Sequence, residues 1–231
     1  MIHLGIKLEN QKSFSPRDIS GLFLWLRSDL GVTVGGGSVS AWADQSGNGR
    51  NFTQGTTAKQ PLFINSGING LPALRFDGVD DILKSSSFTL SPPFTVFIVM
   101  NRITALAGAY YTCGLSENYG VIYQPGGGFG LYNGVVFTTA APSVGSNVVA
   151  TCVFNGAGSQ VWLNGISATG PGNAGVLSPL TGMCLGGYFA ESVNFFSNFY
   201  LAEIIIYNRT LAGSSDRVSV ETYLKNRYAI S

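Results

Sequence analysis

Three consecutive isoleucines, Ile204, Ile205 and Ile206, sit inside the run Leu-Ala-Glu-Ile-Ile-Ile-Tyr at residues 201–207. A strand points successive side chains to opposite faces, so an unbroken β-branched run leaves no polar face. It predicts a strand buried on both sides. Glu203 stands directly against that run. A carboxylate in a buried strand is costly unless it is paired or hydrogen-bonded, so Glu203 is either a catalytic group or a structural one.

The rest of the chain sets the context for that choice. Charged residues make up only 11% of the 231 positions, hydrophobic residues 45%, and there are 31 glycines. This balance suits one large domain of many short strands joined by tight turns. The 13 basic residues, against 12 acidic ones, are scattered singly. They lack the electrostatic footprint that a phosphate backbone requires, so no nucleic-acid partner is expected. Cys113, Cys152 and Cys184 are far apart and form no Cys-x-x-Cys, which predicts buried thiols and not a zinc site. The first residues lack the pattern of a signal peptide. No apolar run approaches the roughly 20 residues that cross a bilayer. Synthesis in a cytoplasm, without membrane insertion, is the expectation.

Residues 1–14 read as an arm outside the domain. Alternating Ile2, Leu4, Ile6 and Leu8 leave two readings open, a frayed terminus or a strand that attaches to something else. Residues 15–231 read as one domain. Apolar runs at 22–26, 39–42, 70–76 and 94–100 predict strands, the second ending in the turn cluster Asp44-Gln45-Ser46-Gly47-Asn48-Gly49. Short aromatic strands alternate with glycines over residues 109–137, where Asn133-Gly134 signals a two-residue hairpin turn. Residues 148–154 and 160–163 form a further pair, followed by Asn164-Gly165. Ser214 or Ser215 caps a helix whose apolar face is Val220, Tyr223, Leu224 and Tyr228. The expected fold is an all-β antiparallel sandwich with a short C-terminal helix.

Five strings carry a resemblance, in this order. They are Ile-Ser-Gly-Leu-Phe-Leu-Trp-Leu at 19–26, Val-Ser-Ala-Trp-Ala-Asp-Gln-Ser-Gly-Asn-Gly at 39–49, Leu-Arg-Phe-Asp-Gly-Val-Asp-Asp at 74–81, Val-Trp-Leu-Asn-Gly at 161–165, and Leu-Ala-Glu-Ile-Ile-Ile-Tyr at 201–207 with the helix behind it. Over residues 16–231 the sequence resembles the laminin-G-like members of the concanavalin A-like lectin/glucanase superfamily, as found in phage virion proteins. The resemblance implies a jelly-roll β-sandwich of two stacked sheets. It also implies a virion role, as a capsid decoration, head fibre or tail adhesion module. Such a module would be oligomeric or part of a larger assembly, would contact other virion proteins through the arm, and would meet cell-surface glycans. Such folds also serve as free lectin domains and as glycosidases, so function needs a site.

The chemistry speaks against an enzyme. Retaining glycosidases of similar fold need two carboxylates about 5–5.5 Å apart, yet Glu203 has no acidic residue within eight positions on either side. The one histidine, His3, lies in the arm, so no Ser-His-Asp set is available in the domain. Glu203, Asp44 and Trp42 are therefore expected to be structural, with Glu203 accepting hydrogen bonds that tie its strand to a loop. Sugar recognition uses aromatic faces beside a few polar groups; the candidates are Tyr110, Tyr111, Tyr119, Tyr123, Tyr132 and Trp162. No cofactor is expected, and calcium is the one metal with candidate ligands, Asp77, Asp80 and Asp81.

Overall fold

The computed structural model describes residues 13–116, 119–177, 179–189, 191 and 195–231. Residues 1–12, which hold His3 and the alternating positions of the arm, lie outside it. No described helix is long and apolar enough to cross a membrane.

Among the described residues, seventeen strands form one connected antiparallel network, folded into two layers. The first layer runs from the Ile166–Ser167 strand through Gln160–Leu163, Asn147–Phe154 and Phe94–Arg102 to Asn198–Tyr207. On its far side, the first half of the Asn198–Tyr207 strand pairs with Leu71–Asp77 and the second half with Leu22–Arg27. The second layer runs from Ser38–Trp42 through Phe52–Thr53, Leu83–Ser85, Met183–Leu185, Tyr110–Gly114, Val121–Tyr123 and Gly128–Tyr132 to Val136–Ala140. The Leu62–Ile68 strand bridges them, pairing with Leu71–Asp77 and touching Ser38 through Leu62.

Strand alternation sorts the apolar residues into two cores. Val96, Ile98, Met100, Phe199, Leu201, Ile204 and Ile206 point between the sheets. Phe97, Val99, Ala202, Ile205 and Tyr207 point the other way, against Val220, Leu224 and Tyr228 of the C-terminal α-helix, Ser215–Tyr228. All three isoleucines are fully buried, but the second burial comes from the helix, so Ile205 is not in the sandwich interior. Ser214 caps the helix, accepting from Arg217 N at 3.2 Å. The entry side of the domain is also tied down: Phe14 packs on Tyr223, ring centroids 5.7 Å apart, and Tyr207 Oη donates to Pro16 O at 2.8 Å.

The Asn164-Gly165 turn joins Leu163 directly to Ile166, with φ of 53° and 84°, as a two-residue turn of this type requires. Asn133-Gly134 differs. Tyr132 pairs with Val136, so three residues make the connection. The Asn133 side chain is drawn inward, where it accepts from Gly120 N and donates to Leu177 O. The short strands Phe52–Thr53 and Leu83–Ser85 and the bridging Leu62–Ile68 carry no period-two pattern that would announce them.

Candidate functional site

The two outer faces of the sandwich are built differently. On the helix side, a β-bulge between Leu201 and Glu203 shifts the register. The extra residue places Ala202 and Glu203 on the same face; strict alternation would have sent Glu203 between the sheets. Glu203 is fully buried there. It accepts from Trp25 Nε1 at 2.7 Å, Tyr223 Oη at 3.0 Å and Tyr228 Oη at 2.9 Å, and Arg227 Nε lies 3.4 Å away. Burial raises its carboxyl above the ordinary range, and the indole, the phenols and Arg227 oppose that rise. The strand is thus tied to the helix and to the first strand, not to a loop. Beside this hub runs a groove of about 950 Å³ whose lining includes Phe14, Trp25, Arg27, Tyr223, Asn226 and Arg227. Its cations are already engaged: Arg27 and Arg227 share Asp29. Burial would raise Asp29, but the two guanidinium groups outweigh it and hold the carboxyl low.

The outer face of the second layer is aromatic. Register places Lys84, Cys184 and Cys113 side by side, and Tyr123 beside both Tyr110 and Gly130. Cys113, Val121, Cys184 and Phe196 make a buried floor under half-buried Tyr110, Tyr123, Tyr132 and Tyr188. The Tyr110 ring lies 5.6 Å from Tyr123, 5.5 Å from Tyr188 and 5.4 Å from Phe195. Gly130 is needed here because a Cβ would stand 2.9 Å from the Tyr123 ring. Burial and the neighbouring Tyr132 push the Tyr123 phenol up. Next to Tyr188, the Glu191 carboxylate is held between Lys59 and Lys84, which keep it below its usual range. Lys84 Nζ also donates to Phe189 O at 3.4 Å.

Of the six aromatic candidates, Tyr110, Tyr123 and Tyr132 come together on this face. Tyr111 points into the sandwich interior, against Phe129 and Phe199, and burial pushes its phenol up to about 12. Trp162 is 6% exposed and lies beneath the Arg217 guanidinium, 4.4 Å from its centroid. Tyr119 packs partly on the inter-sheet core. Sequence reading missed Tyr188, Phe195, Lys84 and Glu191. The clustering of Tyr188, Phe189, Phe195 and Phe196 within nine residues of sequence was the available signal.

Asp44 and Trp42 hold the first strand. Asp44 accepts from Trp25 N, Ser46 N, Ser46 Oγ and Arg50 N, and Trp42 Nε1 donates to Arg27 O at 2.8 Å. The carboxylates of Asp77, Asp80 and Asp81 offer oxygens within 4.8 Å of one another, a donor set of the type calcium takes. Two of them already serve the turn: Asp77 accepts from Val79 N, and Asp81 from Asp77 N. Burial, then the Asp77 charge, pushes Asp81 up to about 7.

The geometry defines an antiparallel β-sandwich, one face sealed by a helix and the other aromatic. No protein-family pattern matches the sequence, and no curated protein sequence matches it. Solved structures do match the fold. Trypanosoma rangeli sialidase in complex with sialic acid superposes with a TM-score of 0.60 at 14% identity, over 90% of this chain and 33% of that one. The binding domain of Paraclostridial Mosquitocidal Protein 1 gives 0.60 at 15% identity, over 92% and 53%. Domain 4 of AbnA, a GH43 extracellular arabinanase from Geobacillus stearothermophilus in complex with arabinotriose, gives 0.56 at 13%, over 80% and 91%. The chain spans about a third of the sialidase.

Proposed function

We propose that this chain is a non-catalytic glycan-binding sandwich whose sugar-facing surface is the cluster of Tyr110, Tyr123, Tyr132, Tyr188 and Phe195. The observation that carries the reading is the half-buried ring cluster beside the Lys59–Glu191–Lys84 group. Rings stack on the apolar faces of sugars, while ammonium, carboxylate and phenol groups fix the hydroxyls. Two of the fold neighbours support it, since they are described in complex with sialic acid and with arabinotriose. The absence of catalysis is supported by Glu203, whose carboxylate is sealed under the helix with its oxygens engaged.

Display on a virion, with residues 1–14 contacting other virion proteins, rests on the resemblance of the five strings. Co-sedimentation of the chain with particles, lost on deleting residues 1–14, is the expected result; a chain found only as a soluble lectin contradicts it. The glycan site is tested on a glycan array followed by calorimetry. Tyr188→Ala and Tyr110→Ala should each weaken binding at least about tenfold, equal to about 1.4 kcal/mol, with the fold intact. Full binding by both variants, or no hit for the native chain, overturns the assignment.

A further inference from the structure

The edges of the two layers are not protected alike. The Leu22–Arg27 edge is occupied by the neighbouring turn, which takes Trp25 N on Asp44 Oδ1 and gives Gln45 N to Trp25 O. The Val32–Gly35 edge carries a register irregularity, and the Ile166–Ser167 edge is two residues long. Bulges, short strands and covering loops are the usual ways to stop edge-to-edge association. The Val136–Ala140 strand has no bulge, and the 168–174 segment meets it through its inward side chains and its leading end: Thr139 Oγ1 donates to Ala168 O at 2.9 Å, Gly172 abuts the Phe137 ring, and Val135 N bonds Ala174 O. The strand is five residues long, pairs in unbroken register with Gly128–Tyr132 only, and its outward backbone groups find no partner among the described residues. It also lacks a charged side chain, and Val136, Thr138 and Ala140 are exposed. Val135, Val136, Val176 and Leu177 gather at one end of it, with Val136 57% and Val176 66% exposed. The backbone bonds Val135 N to Ala174 O and Leu177 N to Asn133 O hold that patch together.

We infer that this edge is the interface of a two-fold dimer, in which Val136–Ala140 of two copies pair antiparallel about Thr138. Unpaired N–H and C=O groups along a regular edge call for another strand. An uncharged edge pairs with its own copy without like-charge repulsion, and the antiparallel register is self-complementary, Val136 opposite Ala140, Phe137 opposite Thr139 and Thr138 opposite itself. The contact is isologous, so it closes at two copies. The two-fold axis stands perpendicular to the sheet, so both aromatic faces look the same way. Tyr123 lies two strands inside the edge, which puts the two copies of it five strand spacings, about 24 Å, apart. Such spacing makes the dimer bivalent for glycans, a consequence that rests on the proposed sugar site. The dimer itself does not.

Sedimentation velocity on the full chain, across a concentration series, tests it. The native chain should sediment as a dimer, and Thr138→Lys, which sets two ammonium groups against each other on the axis, should be monomeric with an unchanged circular dichroism spectrum. Thr138→Glu repeats the charge test with the opposite sign, and Thr33→Lys, on the irregular edge, should remain dimeric. A native chain that stays monomeric at every concentration overturns the inference whatever the variants do. So does a dimer that survives both Thr138 substitutions, or one lost in Thr33→Lys.

Discussion

The helix-covered face and the aromatic face solve the same problem, an apolar outer sheet surface, in opposite ways. On the helix face the central apolar groups are closed off: Ile205, Tyr207 and Trp25 lie under Val220, Leu224 and Tyr228, and the buried Glu203 carboxylate has three hydrogen-bond donors. On the aromatic face, Cys113, Cys184 and Val121 are covered by rings that remain partly exposed, with charged groups at their border. A face covered by a helix is finished structure; a face covered by partly exposed rings retains surface for a ligand. The pair teaches that the buried acid, the most conspicuous oddity of the sequence, belongs to the scaffold.

That contrast is open to attack by mutation. The largest effect is expected from Leu224→Ala, which removes a fully buried side chain between helix and sheet. It should cost about 2–5 kcal/mol in chemical denaturation and leave glycan affinity of the folded protein unchanged. Glu203→Ala should cost about 1–3 kcal/mol, because the Trp25 indole and two phenols lose their acceptor. Glu203→Gln keeps an acceptor oxygen for Trp25 and Tyr223, so it should cost less than Glu203→Ala. Equal losses for the two variants would mean that the hydrogen bonds contribute little there.

The smallest effect concerns Asp81. Its folded value of about 7 lies above the ordinary 3.8, so the folded state holds this proton more tightly than the unfolded one. The destabilising charge is therefore absent below about pH 4 and fully present above about pH 7. Allowing for solvent screening, about 1 kcal/mol of stability, or roughly 2–4 °C in Tm, should be lost as pH rises through that window. Asp81→Asn should remove that share of the pH dependence while preserving the bond from Asp77 N. A pH profile of melting unchanged by the substitution would show that burial and the Asp77 charge do not raise Asp81.

What the sequence disclosed depended on how local each interaction is. The isoleucine run, the Ser214 cap and the Val220–Leu224–Tyr228 stripe are periodic patterns within one element, and the structure has them all. The Asp44 turn was readable because its carboxylate serves Ser46 and Arg50, two and six residues away. The fate of Glu203 was not, since its shortest bond is to Trp25, 178 positions earlier, and the bulge that turns it outward leaves no compositional mark. The aromatic face was half legible. Tyr110, Tyr123 and Tyr132 stood out as aromatic strand residues, but Tyr111 is one position from Tyr110 and therefore points the other way. Tyr188 and Phe195 lie outside every strand, and only the fold brings them to Tyr110.

The division of labour between the two faces is tested most directly by amide chemical-shift mapping while the strongest array glycan is titrated into the protein. The account predicts shifts at Tyr110, Tyr123, Tyr132, Tyr188 and Phe195, and none along the groove of Trp25, Tyr223 and Asn226. Shifts confined to that groove would place the ligand on the helix face and contradict it.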